Sequence, residues 1–158
     1  MPRIGGINIV GVLVATLAFY FVGFIFYGVI FTEEWSFTLL EARSELELDT
    51  IRQMSDERFQ AAWAEHIGGS AGLSMGLGFV NALVTVVFLA IILRQLTAAA
   101  PSLVANVGYA LLLWAGFAAT TLAYNHIYAN APMAFFRIDM LHLFVAYAVG
   151  GAVLSFFD

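Results

Sequence analysis

The sequence predicts an all-α integral membrane protein, a four-helix bundle with a helical, acidic extramembrane loop between its first and second spans. Three observations predict it. Of the 158 residues, 62% are hydrophobic and 11% charged, against roughly 45–50% and about 25% in a soluble domain. Four apolar runs each approach or exceed the ~20 residues that cross a bilayer core. Nine of the eleven acids fall in one segment, residues 32–69. The chain reads as a single membrane domain over 1–158.

The first span is 7–31, "INIVGVLVATLAFYFVGFIFYGVIF", without a charge. A signal peptide needs a shorter apolar core and a small-residue cleavage site. This run is too long and ends in aromatics before "TEEW", so an uncleaved span is expected. The segment 32–69 sets those nine acids against Arg43, Arg52 and Arg58. Within it "SDERFQAAWAEHI" has helical spacing at Phe59, Ala62, Trp63 and Ile67. Ser55 suits an N-cap and acids suit the first turn. One or two helices are expected, as a solvated linker or as an acidic surface for a partner or cation. The second span is about 70–93, the third about 103–125 and the fourth about 138–157. Pro2, Pro101 and Pro132 all lie outside the spans, so no proline kink is expected. Four spans put both termini on one side. Arg3 and Arg94 sit tight against span ends there, which favours the cytoplasmic side.

Helices in lipid associate through small residues and a few polar contacts. Span two supplies Gly72, Gly76 and Gly78, for contacts within the bundle or between copies, and a stripe of Ser74, Gly78, Asn81 and Thr85. Span one offers Thr16, Tyr20, Gly23 and Tyr27. Span three offers Tyr109, Gly116, Thr120 and Tyr124. Span four offers Asp139, His142, Ala146, Gly150 and Val153. Asn81 is the deepest strong polar group. An interhelical hydrogen bond is its ordinary use, and a pore or ligand contact the alternative.

The ends of spans one and three and the starts of spans two and four share one rim. It gathers Glu33, Glu34, Trp35, His66, Asn125, His126, Tyr128, Arg137, Asp139 and His142. Asp139 and His142 are three apart and share a helix face. Three readings compete. In the first, Asp139 caps the fourth helix, His142 bonds Asn125 or Tyr124, and Arg137 anchors at headgroups. In the second, Asp139 and His142 line a pocket or ion pathway with Asn81, Thr120, Asn125, His126 and Arg137. In the third, weakest reading, His66, His126, Asp139 and His142 supply metal ligands, although no HxxxH or HExxH pair exists.

The chemistry left open is narrow. The chain has no cysteine and all six cations are arginine. This excludes disulfides, thiolate sites and Schiff-base lysine chemistry. No nucleophile signature or phosphate-cradling loop is present, no cofactor is expected, and nothing points to nucleic acid.

At "GFAATTLAYNHIY" (116–128) and "FFRIDMLHLFVAYAVGGAVL" (135–154) the chain resembles the domain-of-unknown-function 1761 family of small bacterial four-span membrane proteins. That family has a Gly-Phe, Thr, Asn pattern at the end of its third span. An Asp and a His one turn apart follow, and then a glycine. The matching residues are Gly116, Phe117, Thr120, Thr121, Asn125, Asp139, His142 and Gly150. Gly23 and Tyr27 match the Gly…Tyr end of the family's first span, and Trp35 a tryptophan soon after. The acidic loop 36–67 is longer than the usual connection. The resemblance implies the four-span fold and the inner membrane of a bacterium, and it assigns no activity.

The first expectation for function is a non-enzymatic accessory or scaffold subunit. Its partners are the bilayer and copies of itself or a larger membrane complex. The alternative is a small channel or carrier entered at Asn125, Asp139 and His142, with Tyr20 and Thr85 along the path. The last is a membrane-embedded enzyme on a lipid or quinone, with His142 as general base.

Overall fold

The computed structural model describes residues 2–69 and 71–157. Ser70, where span two is expected to begin, and Asp158 lie outside the described residues. The architecture is the expected all-α bundle. Four helical segments are long and apolar enough to cross a membrane: Ile9–Ile30, Gly72–Leu96, Leu103–Tyr128 and Met133–Ser155.

A two-residue hairpin, unforeseen in the sequence, precedes the first span. Strands β1 (Arg3–Ile4) and β2 (Ile7–Asn8) pair antiparallel. Gly5 and Gly6 turn between them with φ of +56° and +82°, a tight hairpin conformation that glycine adopts freely. Asn8 then caps helix α1 (Ile9–Ile25), its side-chain oxygen accepting from the N–H groups of Val10 and Gly11. The span finishes in a π-helical turn, Phe26–Ile30.

The segment 32–69 forms three short helices rather than one or two: α2 (Thr32–Arg43), α3 (Leu48–Arg52) and α4 (Asp56–His66). It has a small core of its own, since Thr38, Leu40 and Ile51 are fully buried. In α4 the residues Phe59, Ala62 and Trp63, with Ile67 just beyond, are the half-buried ones. Ser55 stands at the N-cap position, but its hydroxyl makes no capping bond.

Helix α5 (Ala71–Leu96) is the second span. The third consists of α6 (Leu103–Leu113), a π-helical turn (Trp114–Ala119) and α7 (Thr120–Tyr128). Helix α8 (Met133–Ser155) is the fourth. It lies at the centre and packs on α1, α2, α5, α6 and α7. The core is apolar and closely filled, with Val12, Ala15, Phe19, Val22, Val86, Leu89, Leu93, Ala146 and Leu154 in one cluster. Both ends of the four-span run meet, where the Asn8 amide donates to the Phe157 carbonyl at 3.3 Å.

The start of α8 matters for the site. It begins at Met133, directly after Pro132, and not at 138. Proline's fixed φ and missing N–H fit a helix start, and "MAFF" continues helically into Arg137. Asp139 is therefore well inside the helix and does not cap it.

Candidate functional site

The polar group that the bundle holds inside is built from two spans. Asp139 and His142 sit on one face of α8. Tyr27 reaches them from the end of span one, where the π-helical turn adds an extra residue and re-aims its side chains. The Tyr27 hydroxyl lies 2.5 Å from Asp139 Oδ1 and 3.1 Å from His142 Nδ1. All three residues are half-buried.

The proton count follows from these contacts. A tyrosine hydroxyl donates once. If it donates to the Asp139 carboxylate, its oxygen accepts from His142 Nδ1–H, and the Nε2 lone pair is left bare. On the Nε2 side lies Gly23, and a Cβ there would stand 3.2 Å from that nitrogen. Glycine at 23 is thus what makes room for the imidazole. Phe26 and Tyr27 flank the ring at centroid distances of 5.8 and 5.0 Å.

An aromatic series leads from this group to the acidic segment. Tyr27 meets Trp35 of α2 at 5.7 Å, Trp35 meets Trp63 of α4 at 6.2 Å, and Trp63 meets Phe59 at 5.8 Å. The triad is therefore in contact, ring on ring, with the extramembrane helices.

The remaining sequence candidates lie elsewhere. His142 bonds Tyr27 rather than Asn125 or Tyr124, which are both exposed. Asn81 faces outward from α5, with no hydrogen bond from its carboxamide among the described residues. Thr120 is exposed and bonds the carbonyls of Gly116 and Phe117 in the π-helical turn of its own span. His126 lies in the last turn of α7, its Nδ1 2.7 Å from the carbonyl of Ala131 in the turn that follows and its ring stacked on Phe136. Arg137 is exposed on α8.

The four residues named for a metal site are not brought into one place. His66 is exposed at the end of α4. No group of three His, Asp or Glu side chains that could hold a metal occurs among the described residues. The small residues divide. Gly150 packs toward Leu89 and Phe19, and Gly78 toward Tyr20. Gly76 and Gly116 face open space, and Gly72 is exposed.

Two features escaped the candidate set. Tyr27 appears in the sequence as part of a small and polar stripe, four residues after Gly23. That pairing at a span end is the signal that points to it. Asn106 is 1% exposed, donates to the Ser102 carbonyl, and leaves its Oδ1 without a partner. Nothing distinguishes it in the sequence from Asn81.

Comparison with known proteins adds one assignment. No curated protein and no solved structure matches the chain. A family model described as a protein of unknown function (DUF1761) matches residues 10–155. That match takes in all four spans, the acidic segment, and each of Tyr27, Asp139 and His142. The chain belongs to this family of proteins of unknown function, as a small membrane protein with four spanning helices.

Proposed function

We propose that the protein is a non-enzymatic accessory subunit of the bacterial inner membrane that assembles side by side with copies of itself. The observation that carries this is Asn81. At 1.5 Å per residue it lies about 15 Å along α5 from Ala71, and it faces away from the bundle. A carboxamide turned to hydrocarbon is costly, and a neighbouring helix is the usual source of its hydrogen bond. The outward Gly72, Gly76 and Gly116 add places where another helix could come close.

The test uses the absence of cysteine from the chain. Val84→Cys, exposed one turn from Asn81 on α5, is the only thiol in its variant and keeps the carboxamide, so oxidation in the native membrane reads contact between copies directly. Cross-linked dimers at 84, absent from a Leu17→Cys control on exposed α1 surface, are the expected result. Native mass spectrometry of the extracted wild type should show an oligomer that Asn81→Leu weakens. A monomeric wild type without any partner, together with no cross-link in the cysteine variant, overturns the reading. A different polypeptide at fixed ratio replaces self-assembly with a larger complex.

A second reading, a small channel or carrier entered at the rim, is favoured by the Tyr27, Asp139 and His142 group inside the bundle. The outward Asn81, Thr120 and Asn125 and the filled apolar core weigh against it. Unchanged flux in liposomes with Asp139→Asn and His142→Ala combined ends it. Arg3 and Arg94 support cytoplasmic termini. Trypsin added to sealed right-side-out vesicles then cuts at Arg43, Arg52 or Arg58 and spares Arg3 and Arg94.

A further inference from the structure

The two hydrogen bonds that join Asp139, Tyr27 and His142 form a chain that reads in either direction. In one direction the Tyr27 O–H donates to the Asp139 carboxylate and His142 Nδ1–H donates to the Tyr27 oxygen. In the other, a protonated Asp139 donates to the Tyr27 oxygen and the Tyr27 O–H donates to a bare His142 Nδ1. The same heavy-atom positions, 2.5 and 3.1 Å apart, serve both. In the first arrangement Nε2 is bare and in the second it carries hydrogen. The two differ by one proton.

We propose that Tyr27, Asp139 and His142 form a one-proton relay that binds a proton at His142 Nε2, on the Gly23 side, and stores it on the Asp139 carboxylate. The step balances. A bond forms between the incoming proton and Nε2. The Nδ1–H bond breaks and its proton passes to the Tyr27 oxygen. The Tyr27 O–H bond breaks and its proton passes to Asp139 Oδ1. The tyrosine ends as it began, the imidazole changes tautomer, and the carboxylate becomes a carboxyl. No formal charge is left inside the bundle, which a low-dielectric setting favours over an imidazolium–carboxylate pair.

Among the described residues, the surroundings do not offer a competing partner. On α8, Arg137 is exposed two residues before Asp139. On α2, Glu33 and Glu34 are exposed in the first turn. On α1, the Tyr20 hydroxyl is bonded to the Met75 carbonyl. On α7, Tyr124 and Tyr128 are exposed and His126 is bonded to Ala131. On α6, Tyr109 is exposed. On α5, the residues 71–93 that face this level contain no titratable group. At Gly23 a Cβ would stand 3.2 Å from Nε2, so a side chain there would make the imidazole give by a few tenths of an ångström.

The proposal concerns a site separate from the assembly surface at Asn81, so either can fail alone. The test is made on wild-type protein in bilayers, labelled with nitrogen-15 at histidine, with His66→Gln and His126→Gln assigning the signals. The expected result is an Nδ1–H tautomer of His142 at high pH. On acidification it converts to the Nε2–H tautomer, and an infrared carboxyl band rises with the same midpoint. The band is absent in Asp139→Asn. In Tyr27→Phe the carboxyl band and the tautomer change no longer share a midpoint. Gly23→Ala, whose Cβ would stand 3.2 Å from Nε2, crowds the protonated nitrogen and moves the shared midpoint to lower pH. If wild-type His142 instead gains both N–H groups while Asp139 stays a carboxylate, the relay is wrong. A single tautomer and no carboxyl band across the pH range also overturns it.

Discussion

At the end of the bundle that carries the termini, glycines let the helices touch. A Cβ on Gly151 would stand 2.8 Å from the Ala110 Cβ and 3.0 Å from the Asn106 carbonyl oxygen, and one on Gly11 would stand 2.6 Å from the Phe157 Cβ. Asn8 ties β2, α1 and the end of α8 together, and Arg94 bonds the Gly5 carbonyl. At the loop end the helices are spaced by rings. Residues 72–78 of α5 are all exposed, and α4 and α7 bury no residue completely. Lipid is as apolar as a leucine side chain, so spans hold together by packing and polar contacts. The terminal end of this bundle combines both, and the loop end relies mainly on the second. The polar triad is therefore at the end with least packing to hold it, and under the proposed assembly that end is also where a neighbour fits.

The largest effect that can break this comparison is overpacking. Gly151→Leu has no room and should cost about 3 kcal/mol or more. A Cβ at Gly76 would meet nothing within 4 Å, and Gly76→Leu on that exposed face should cost under ~0.5 kcal/mol in the isolated chain. Denaturant unfolding in detergent measures both. Equal losses would mean that the two ends are not differently built.

A middle-sized effect sharpens the other side. Tyr27→Phe keeps the ring contacts with His142 and Trp35 and removes only the hydroxyl. Hydrogen bonds between spanning helices average ~0.6 kcal/mol, and this one joins a carboxyl and an imidazole, so ~1 kcal/mol is expected. Unfolding of that variant alone decides it. No loss would mean that the triad is bonded for chemistry and not for stability.

Much of this division was hidden from the sequence for a physical reason. Length and apolarity mark the four spans, because the bilayer imposes both. The i, i+3 spacing of Asp139 and His142 marks their shared face. Which flank of α5 faces inward is not marked, because lipid-facing and core-facing residues are alike apolar. Asn81 and Asn106 thus look equivalent, yet one is exposed and the other buried. The start of α8 was obscured by Arg137, a charge that reads as a boundary but is carried on exposed helix surface. The π-helical turn that delivers Tyr27 depends on one extra residue per turn, which no residue type announces. The loop core of Thr38, Leu40 and Ile51 is scattered over two short helices and leaves no periodic trace.

The smallest expected effect tests whether the acidic helices belong to the bundle or ride on it. Helix α4 has no fully buried residue, and its ring contacts to α2 are Trp63 on Trp35 at 6.2 Å and Phe59 on Phe37 at 5.3 Å. An aromatic pair of this kind contributes ~0.5–1.5 kcal/mol beyond its area. Trp63→Ala should therefore loosen α4 locally and leave the spans intact. Arg58 is exposed in the first turn of α4, so trypsin cleavage there reads the local opening. It should rise roughly 2–10-fold if cleavage tracks the open population. Cleavage at Arg94 and Arg137, and the unfolding midpoint, should not move. If the midpoint falls as far as in Tyr27→Phe, then α4, Trp35 and the triad open as one unit. The loop end would then be a single cooperative structure organised around Tyr27, and the contrast with the terminal end would be one of chemistry rather than of rigidity.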